Sequence, residues 1–231
     1  FAFHNETMCG FNFGHVPGID GTNADDLTRG AVAGRELVHH IVDWLRRRIP
    51  GFEEAVVVQT GEQIGIRETR RIVGDYTVTF EDFLSCRSFP DDIARNAYYI
   101  DVHLTKPLQD GKTFIDKVHL PPGKSHGIPY RALLPVGLSN IIVAGRSISS
   151  DRTTQGSMRV MPTCYAFGEA AGTACALLTR TGKQNTRDID IGALQRQLLA
   201  QGAWIGDESE RRQAIAAVQG NGAETDRPEG T

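Results

Sequence analysis

The sequence contains no apolar run near the roughly 20 residues that a membrane-crossing helix requires, so no spanning helix is expected. It also has no basic stripe. The net charge is −3, and one short run of cations, Arg46-Arg47-Arg48, closes a predicted helix, where it complements the helix dipole. A nucleic-acid partner is excluded on that ground. Cysteine is scarce: Cys9, Cys86, Cys164 and Cys175 form no Cys-x-x-Cys pair, and their spacing suits neither zinc nor a disulfide framework. Reduced thiols and a cytoplasmic location are expected. The opening Phe1-Ala2-Phe3-His4-Asn5-Glu6 lacks the ordered charged and apolar regions of a secretory signal. Glu62 with Glu68, and Asp91 with Asp92, have no His or Cys at ligand spacing, so no metal is expected.

What is present is an ordinary globular composition. Of 231 residues, 40% are hydrophobic and 23% charged, which allows one large or two small domains. Apolar residues at three- and four-residue spacing predict a helix over 28–48, stopped by Pro50-Gly51. Short β-branched or alternating runs predict strands at 55–58, 76–79, 98–104, 128–134 and 140–144. Thr79 and Asp82 form a capping-box pattern that opens a short helix over 81–85. Further helices are expected at 162–180, 190–200 and 208–218, before a polar tail rich in Gly and acidic residues. This order predicts an α+β substrate-type domain over residues 1–135 and the end of an α/β doubly wound domain over 136–205, with a helical segment and tail over 206–231.

The stretch from Asn140 to Leu178 carries the most chemistry. Asn140-Ile141-Ile142-Val143-Ala144-Gly145-Arg146 reads as a buried strand ending in a small-residue turn, where the backbone can come close to a ligand. The following segment, 147–159, reads as a polar loop. Pro162 suits the first helical position, leaving the N–H groups of Thr163, Cys164 and Tyr165 without intrahelical partners. Such an end favours partial negative charge. The helix is dense in small residues, and Gly168, Ala171, Gly172 and Cys175 share a face. Each interior glycine costs about 1 kcal/mol relative to Ala, which close approach to another backbone would offset. A tightly packed core helix of any α/β protein gives the same pattern.

NIIVAGRSISSDRTTQGSMRVMPTCYAFGEAAGTACALL (140–178) resembles the C-terminal flavin-binding segment of the FAD-dependent oxidoreductase family found in many bacteria, whose architecture is related to the fumarate reductase and succinate dehydrogenase flavoproteins. GIRETRRI (65–72), YIDVH (99–103) and IPYRALLP (128–135) resemble the same family in the same order. The resemblance runs from about Gly21 to Leu178. It implies that Ala144, Gly145 and Arg146 lie along the ribityl and pyrophosphate part of FAD. Val160, Met161, Pro162 and Thr163 lie against the isoalloxazine ring, and Ser157 belongs to the same cofactor-binding set. The Gly-x-Gly-x-x-Gly turn that holds the ADP half has no counterpart here. The expectation is a C-terminal portion whose N-terminal half comes from a preceding segment or a second chain, and which binds FAD weakly or not at all by itself.

A flavin oxidoreductase acting on a small organic substrate often needs a proton-transferring group, and His is suited to that. Of seven histidines, His103 and His126 fall in or beside the family-like segments. Arg159, directly before the flavin-facing helix, and Arg131 are candidates to bind an anionic substrate or stabilise a reduced ring. The alternative for such arginines is an ion pair with a neighbour such as Glu68 or Asp101. Tyr130 reads equally as a proton donor or a strand aromatic. Two functions remain open: an FAD-dependent enzyme, or a non-catalytic interaction domain in which the flavin motifs serve packing.

Overall fold

Asn23 starts the first helix. Its Oδ1 accepts the Asp25 N–H at 2.9 Å and the Asp26 N–H at 3.3 Å, so helix α1 runs Ala24–Arg48, about one turn earlier than the apolar spacing predicts. Acidic residues fill its first turn and the three arginines its last, in the sense the helix dipole favours. The computed structural model describes residues 2–3, 7–102 and 117–207. His103, the expected helix 208–218 and the tail lie outside the described residues. No described helix is long and apolar enough to cross a membrane.

The chain forms two compact units. The first holds the described residues up to Thr69: strand β1 (Ala2–Phe3) paired antiparallel with strand β2 (Cys9–Gly10), and α1. The strand expected at 55–58 does not form. Val56 and Val58 are 71% and 75% exposed, and β-branched residues favour a strand only where a pleated neighbour packs against them.

The second unit holds the described residues from Arg70 onward. Thr79 and Asp82 cap helix α2 (Phe80–Leu84) reciprocally, as the capping-box pattern predicts. Strand β3 (Asp92–Asn96) pairs antiparallel with strand β4 (His126–Pro129), aligning Asn96 with His126. The sequence signal missed β3, because Asp92 and Arg95 look like surface residues. They are buried against each other instead, 3.3 Å apart.

Several expected strands are corrected. Of 128–134, only the start is strand; Tyr130–Leu133 turns as a 3-10 helix. Residues 140–144 form no strand, and Val143 N–H donates to the Leu133 carbonyl at 2.9 Å. Segments 76–79 and 98–102 contribute single bridges, Val78 with Ser150 and Ile100 with Val118. Among the described residues the sheets are two antiparallel pairs. The segment expected as a loop contains helix α3 (Arg152–Met158). Helices α4 (Met161–Arg180) and α5 (Ile191–Ala200) follow.

Residues from both sides of Pro135 share one core. Val78, Ile93, Ile128 and Tyr130 pack in the same cluster as Met158, Phe167, Ala170, Ala174, Leu194 and Leu198. The α4 face carrying Phe167, Ala170, Ala174 and Leu178 is buried, at the three- and four-residue spacing that makes one apolar stripe.

Candidate functional site

Gly145 makes the turn at the end of the extended 140–144 segment. Its φ is +79°, a conformation that costs glycine little, and a Cβ placed there would meet nothing within 4 Å. The backbone at this turn is open, Arg146 beside it is exposed, and Gly145–Ser147 form one 3-10 turn packed against α4. Arg146 is close enough to Cys164 to favour its thiolate, although burial pushes the Cys164 thiol up overall.

Asp151 explains why the next residues are helical rather than loop. Its Oδ1 accepts the Thr154 N–H at 2.7 Å, capping α3, and its Oδ2 accepts the Phe80 N–H at 2.6 Å, at the start of α2. The sequence shows Asp151 as an N-cap residue type; the apolar periodicity that would mark a helix behind it is missing. Thr154, Gln155, Gly156 and Ser157 are all buried.

Arg159 closes α3 and Val160 is extended, so α4 begins at Met161 with Pro162 in its second position. Cys164 N–H donates to the Val160 carbonyl at 3.0 Å. The expected set of open donors therefore shifts: Cys164 and Tyr165 belong to the helix ladder. The N–H groups that no carbonyl of the helix can reach are those of Met161 and Thr163. Met161 is 69% exposed and Tyr165 70% exposed.

Beneath this helix start lies a buried polar network centred on Asn96, which the sequence reading did not single out. Asn96 Nδ2 donates to Ser157 Oγ at 2.6 Å, and Ser157 Oγ donates to the Tyr98 carbonyl at 2.5 Å. Thr163 Oγ1 donates to Asn96 Oδ1 at 3.1 Å. Asn96 Nδ2 also lies 3.0 Å from His126 Nε2, and His126 Nδ1 lies 3.1 Å from the Gly127 carbonyl. The carbonyl can only accept, so Nδ1 carries the proton and Nε2 accepts from Asn96. A buried polar residue at the end of β3 was the available signal, but it is visible only once β3 is known to be a strand.

The expected catalytic residues do not converge. His126 is fully buried, and burial pushes its pKa down to about 4, so it is a neutral imidazole held in one tautomer. Tyr130 is buried, donates its hydroxyl to the Thr186 carbonyl at 3.0 Å, and burial pushes its phenol above the ordinary range. Arg131 forms a two-point pair with Asp91, at 2.9 and 3.1 Å. Arg159 NH2 donates to both the Asp101 carbonyl and its Oδ2 at 3.0 Å. Of the expected cofactor-binding residues, Ser157 and Thr163 are buried in the Asn96 network and point their hydroxyls into it. Gly145, Arg146, Met161 and Pro162 keep reachable surface, and Ala144 and Val160 are half-buried.

Those reachable residues fit one edge of a flavin. The Gly145 turn admits close approach, the Arg146 guanidinium suits phosphate, and the start of α4 suits partial negative charge. Among the described residues no group of three or more His, Cys, Asp or Glu is placed to hold a metal ion. On the remaining α4 face, Gly168 and Gly172 have open space where a Cβ would stand, so no described backbone approaches them.

No curated protein and no solved structure matches the chain. A family model described as FAD dependent oxidoreductase matches residues 3–198, and the chain belongs to that family.

Proposed function

We propose that this chain forms one wall of the flavin site of an oxidoreductase that transfers two electrons between a small organic substrate and FAD. It would be the closing part of a doubly wound FAD-binding fold akin to the fumarate reductase and succinate dehydrogenase flavoproteins. The single observation that carries the reading is the pairing of an open, positive-φ Gly145 turn with the start of α4 in one packed unit.

FAD supplies the two-electron redox chemistry when bound. Gly145 and Arg146 would follow its ribityl and pyrophosphate portion. Val160, Met161, Pro162 and the Thr163 N–H would face its ring, where a helix start favours negative charge. The buried hydroxyls of Ser157 and Thr163 hold that wall in place through Asn96. A segment carrying the Gly-x-Gly-x-x-Gly turn, on the same polypeptide or a second chain, would dock on the exposed α4 face at Tyr165, Gly168 and Gly172. The four cysteines are unpaired thiols, in keeping with work in the cytoplasm.

Absorbance in the flavin bands tests the reading. The chain purified alone is expected to be colourless, and the chain co-expressed with such a segment is expected to be yellow with near-stoichiometric FAD. A longer protein that also holds no flavin would overturn the enzyme reading and leave the exposed α4 face as an interaction surface.

A further inference from the structure

Tyr98 and Tyr99 are consecutive, and in a strand consecutive side chains leave opposite faces. Here their rings stack, with centroids 4.2 Å apart at 25°, and the Tyr98 hydroxyl donates to the Tyr99 hydroxyl oxygen at 3.0 Å. The expected strand is broken at this point so that two phenols meet. The break is held from several sides. Tyr98 N–H donates to Asn96 Oδ1 at 3.3 Å, its carbonyl accepts from Ser157, and Ile100 N–H donates to the Val118 carbonyl at 2.9 Å.

Two further groups close on Tyr99. Lys117 Nζ lies over its ring, 4.6 Å from the centroid. The His119 ring lies 4.9 Å away, tilted by 36°. The Tyr99 oxygen therefore accepts the Tyr98 O–H with a cation close to its ring, and both favour its anion. The hydrogen bond from Tyr98 and the neighbouring Lys117 ammonium hold Tyr99 below the ordinary tyrosine range, and the bond to Tyr99 with burial pushes Tyr98 up to about 12. Asp101 opposes ionisation of both phenols, and Arg159 favours that of Tyr98. Ser157 and Arg159 tie this segment to the end of α3, directly before the α4 start. Tyr99 is half-buried and Lys117 and His119 are exposed, so a small molecule can reach the group.

The geometry points to Tyr99 as the proton-transferring group of a substrate site for small alcohols, with Tyr98 and Lys117 as its positioning residues. The assignment rests on the flavoprotein reading above, which supplies the oxidant. In the oxidising direction the substrate O–H bond breaks and its proton joins the Tyr99 phenolate oxygen. The carbinol C–H bond would break as the C=O bond forms, and that hydrogen would leave with two electrons, which bound FAD would accept. One alcohol becomes one carbonyl, and Tyr99 is left as a neutral phenol. The Tyr98 hydroxyl donates to the phenolate oxygen and the Lys117 charge stabilises the anion before the proton arrives.

Two measurements test it. Ultraviolet titration of tyrosinate in the chain itself is expected to show one phenol ionising below the other four. Tyr99→Phe should abolish that step, and Tyr98→Phe and Lys117→Met should each move it to higher pH. Survival of the step in Tyr99→Phe would overturn the assignment. The flavin-loaded protein is then mixed anaerobically with a library of small alcohols and hydroxy acids. Bleaching of the flavin band by at least one member is expected, on an acid limb that rises as Tyr99 loses its proton. Tyr99→Phe should slow bleaching by about 10²- to 10⁴-fold with unchanged flavin content and little change in KM. An unaltered rate and pH profile in Tyr99→Phe, or bleaching by no member, would overturn the assignment while a yellow wild-type protein leaves the flavoprotein reading standing. A wild-type protein that stays colourless when co-expressed with the segment carrying the Gly-x-Gly-x-x-Gly turn would sink both.

Discussion

Asp151 and Phe80 are joined by a 2.6 Å hydrogen bond from the Phe80 N–H to the Asp151 Oδ2, and the other oxygen of the same carboxylate caps α3 through Thr154. One side chain thereby starts two helices that are distant in sequence and sets α3 in the approach to α4. Asp151→Ala leaves donors at both helix starts without their acceptor. Loss of a cap costs about 0.5–2 kcal/mol and loss of a bond to a charged acceptor about 1.5–3 kcal/mol. A destabilisation of about 2–4 kcal/mol is expected in urea denaturation. Asp151→Asn, which keeps an acceptor for only one of the two helices, should lose about half as much. Equal stability of Asp151→Ala and wild type would contradict the double-cap role.

Cys86 is the one described non-glycine residue with positive φ, at 52°. It stands just past α2, where Cys86 N–H donates to the Phe83 carbonyl at 3.0 Å and Arg87 N–H to the Asp82 carbonyl at 2.9 Å. This is the Schellman pattern, which favours glycine at that position. Cys86→Gly should raise stability by about 1 kcal/mol, and Cys86→Val, β-branched, should lower it. Thermal unfolding of the pair reads the difference.

The open α4 face separates stability from assembly. Gly168→Ala and Gly172→Ala should each stabilise the chain by about 1 kcal/mol, since helix interiors favour Ala and nothing described obstructs a Cβ. If another backbone docks there, the same substitutions should lower flavin incorporation in the co-expressed protein. The two effects run in opposite directions, which a loss of folding cannot produce.

Buried Asp92 and His126 should give compensating pH dependences. Burial pushes Asp92 up to about 7 despite the Arg95 guanidinium beside it, and burial pushes His126 down to about 4. Between about pH 4 and 6.5, folded Asp92 holds a proton that the unfolded chain has released. Its contribution is full below the unfolded pKa near 4 and is lost as pH rises through about 7. Folded His126 lacks a proton that the unfolded chain binds, so its contribution is present above about 6.5 and is lost as pH falls through about 4. The two slopes cancel in the wild type. His126→Gln should therefore leave stability falling with rising pH across this window, and Asp92→Asn should leave it rising. The change is on the order of 3 kcal/mol in each case. Denaturation midpoints at several pH values test both signs.

Local signals in the sequence were sufficient for α1, α2, α4 and α5. Each has a cap or a run of apolar residues at helical spacing, which are short-range features: the apolar spacing over 28–48, the Thr79–Asp82 box, Pro162 and Asp190. The family was legible for the same reason, since its motifs are contiguous segments in order, and the family match covers them. Strands were much less legible. Residues 55–58 and 140–144 have β-branched composition, and β3 has Asp92 and Arg95, yet only β3 is a strand. Strand formation depends on a partner that sequence distance hides.

The same division holds at the site. The sequence by itself determined that Gly145 would turn the chain and that a helix would start near Pro162, because both follow from the backbone limits of single residues. Only the tertiary structure decided what the polar residues do. The resemblance sets Ser157 and Thr163 among the cofactor-binding residues, and folding turns their hydroxyls onto Asn96, whose donor and acceptor atoms need partners once buried. His126 became a neutral core residue because burial penalises its charge, and Arg131 and Arg159 found carboxylates across the fold. Tyr98 and Tyr99 read as alternating strand residues until hydrogen bonds with Asn96 nearby and with Ser157 and Val118 farther along the chain broke the strand and brought two phenols together.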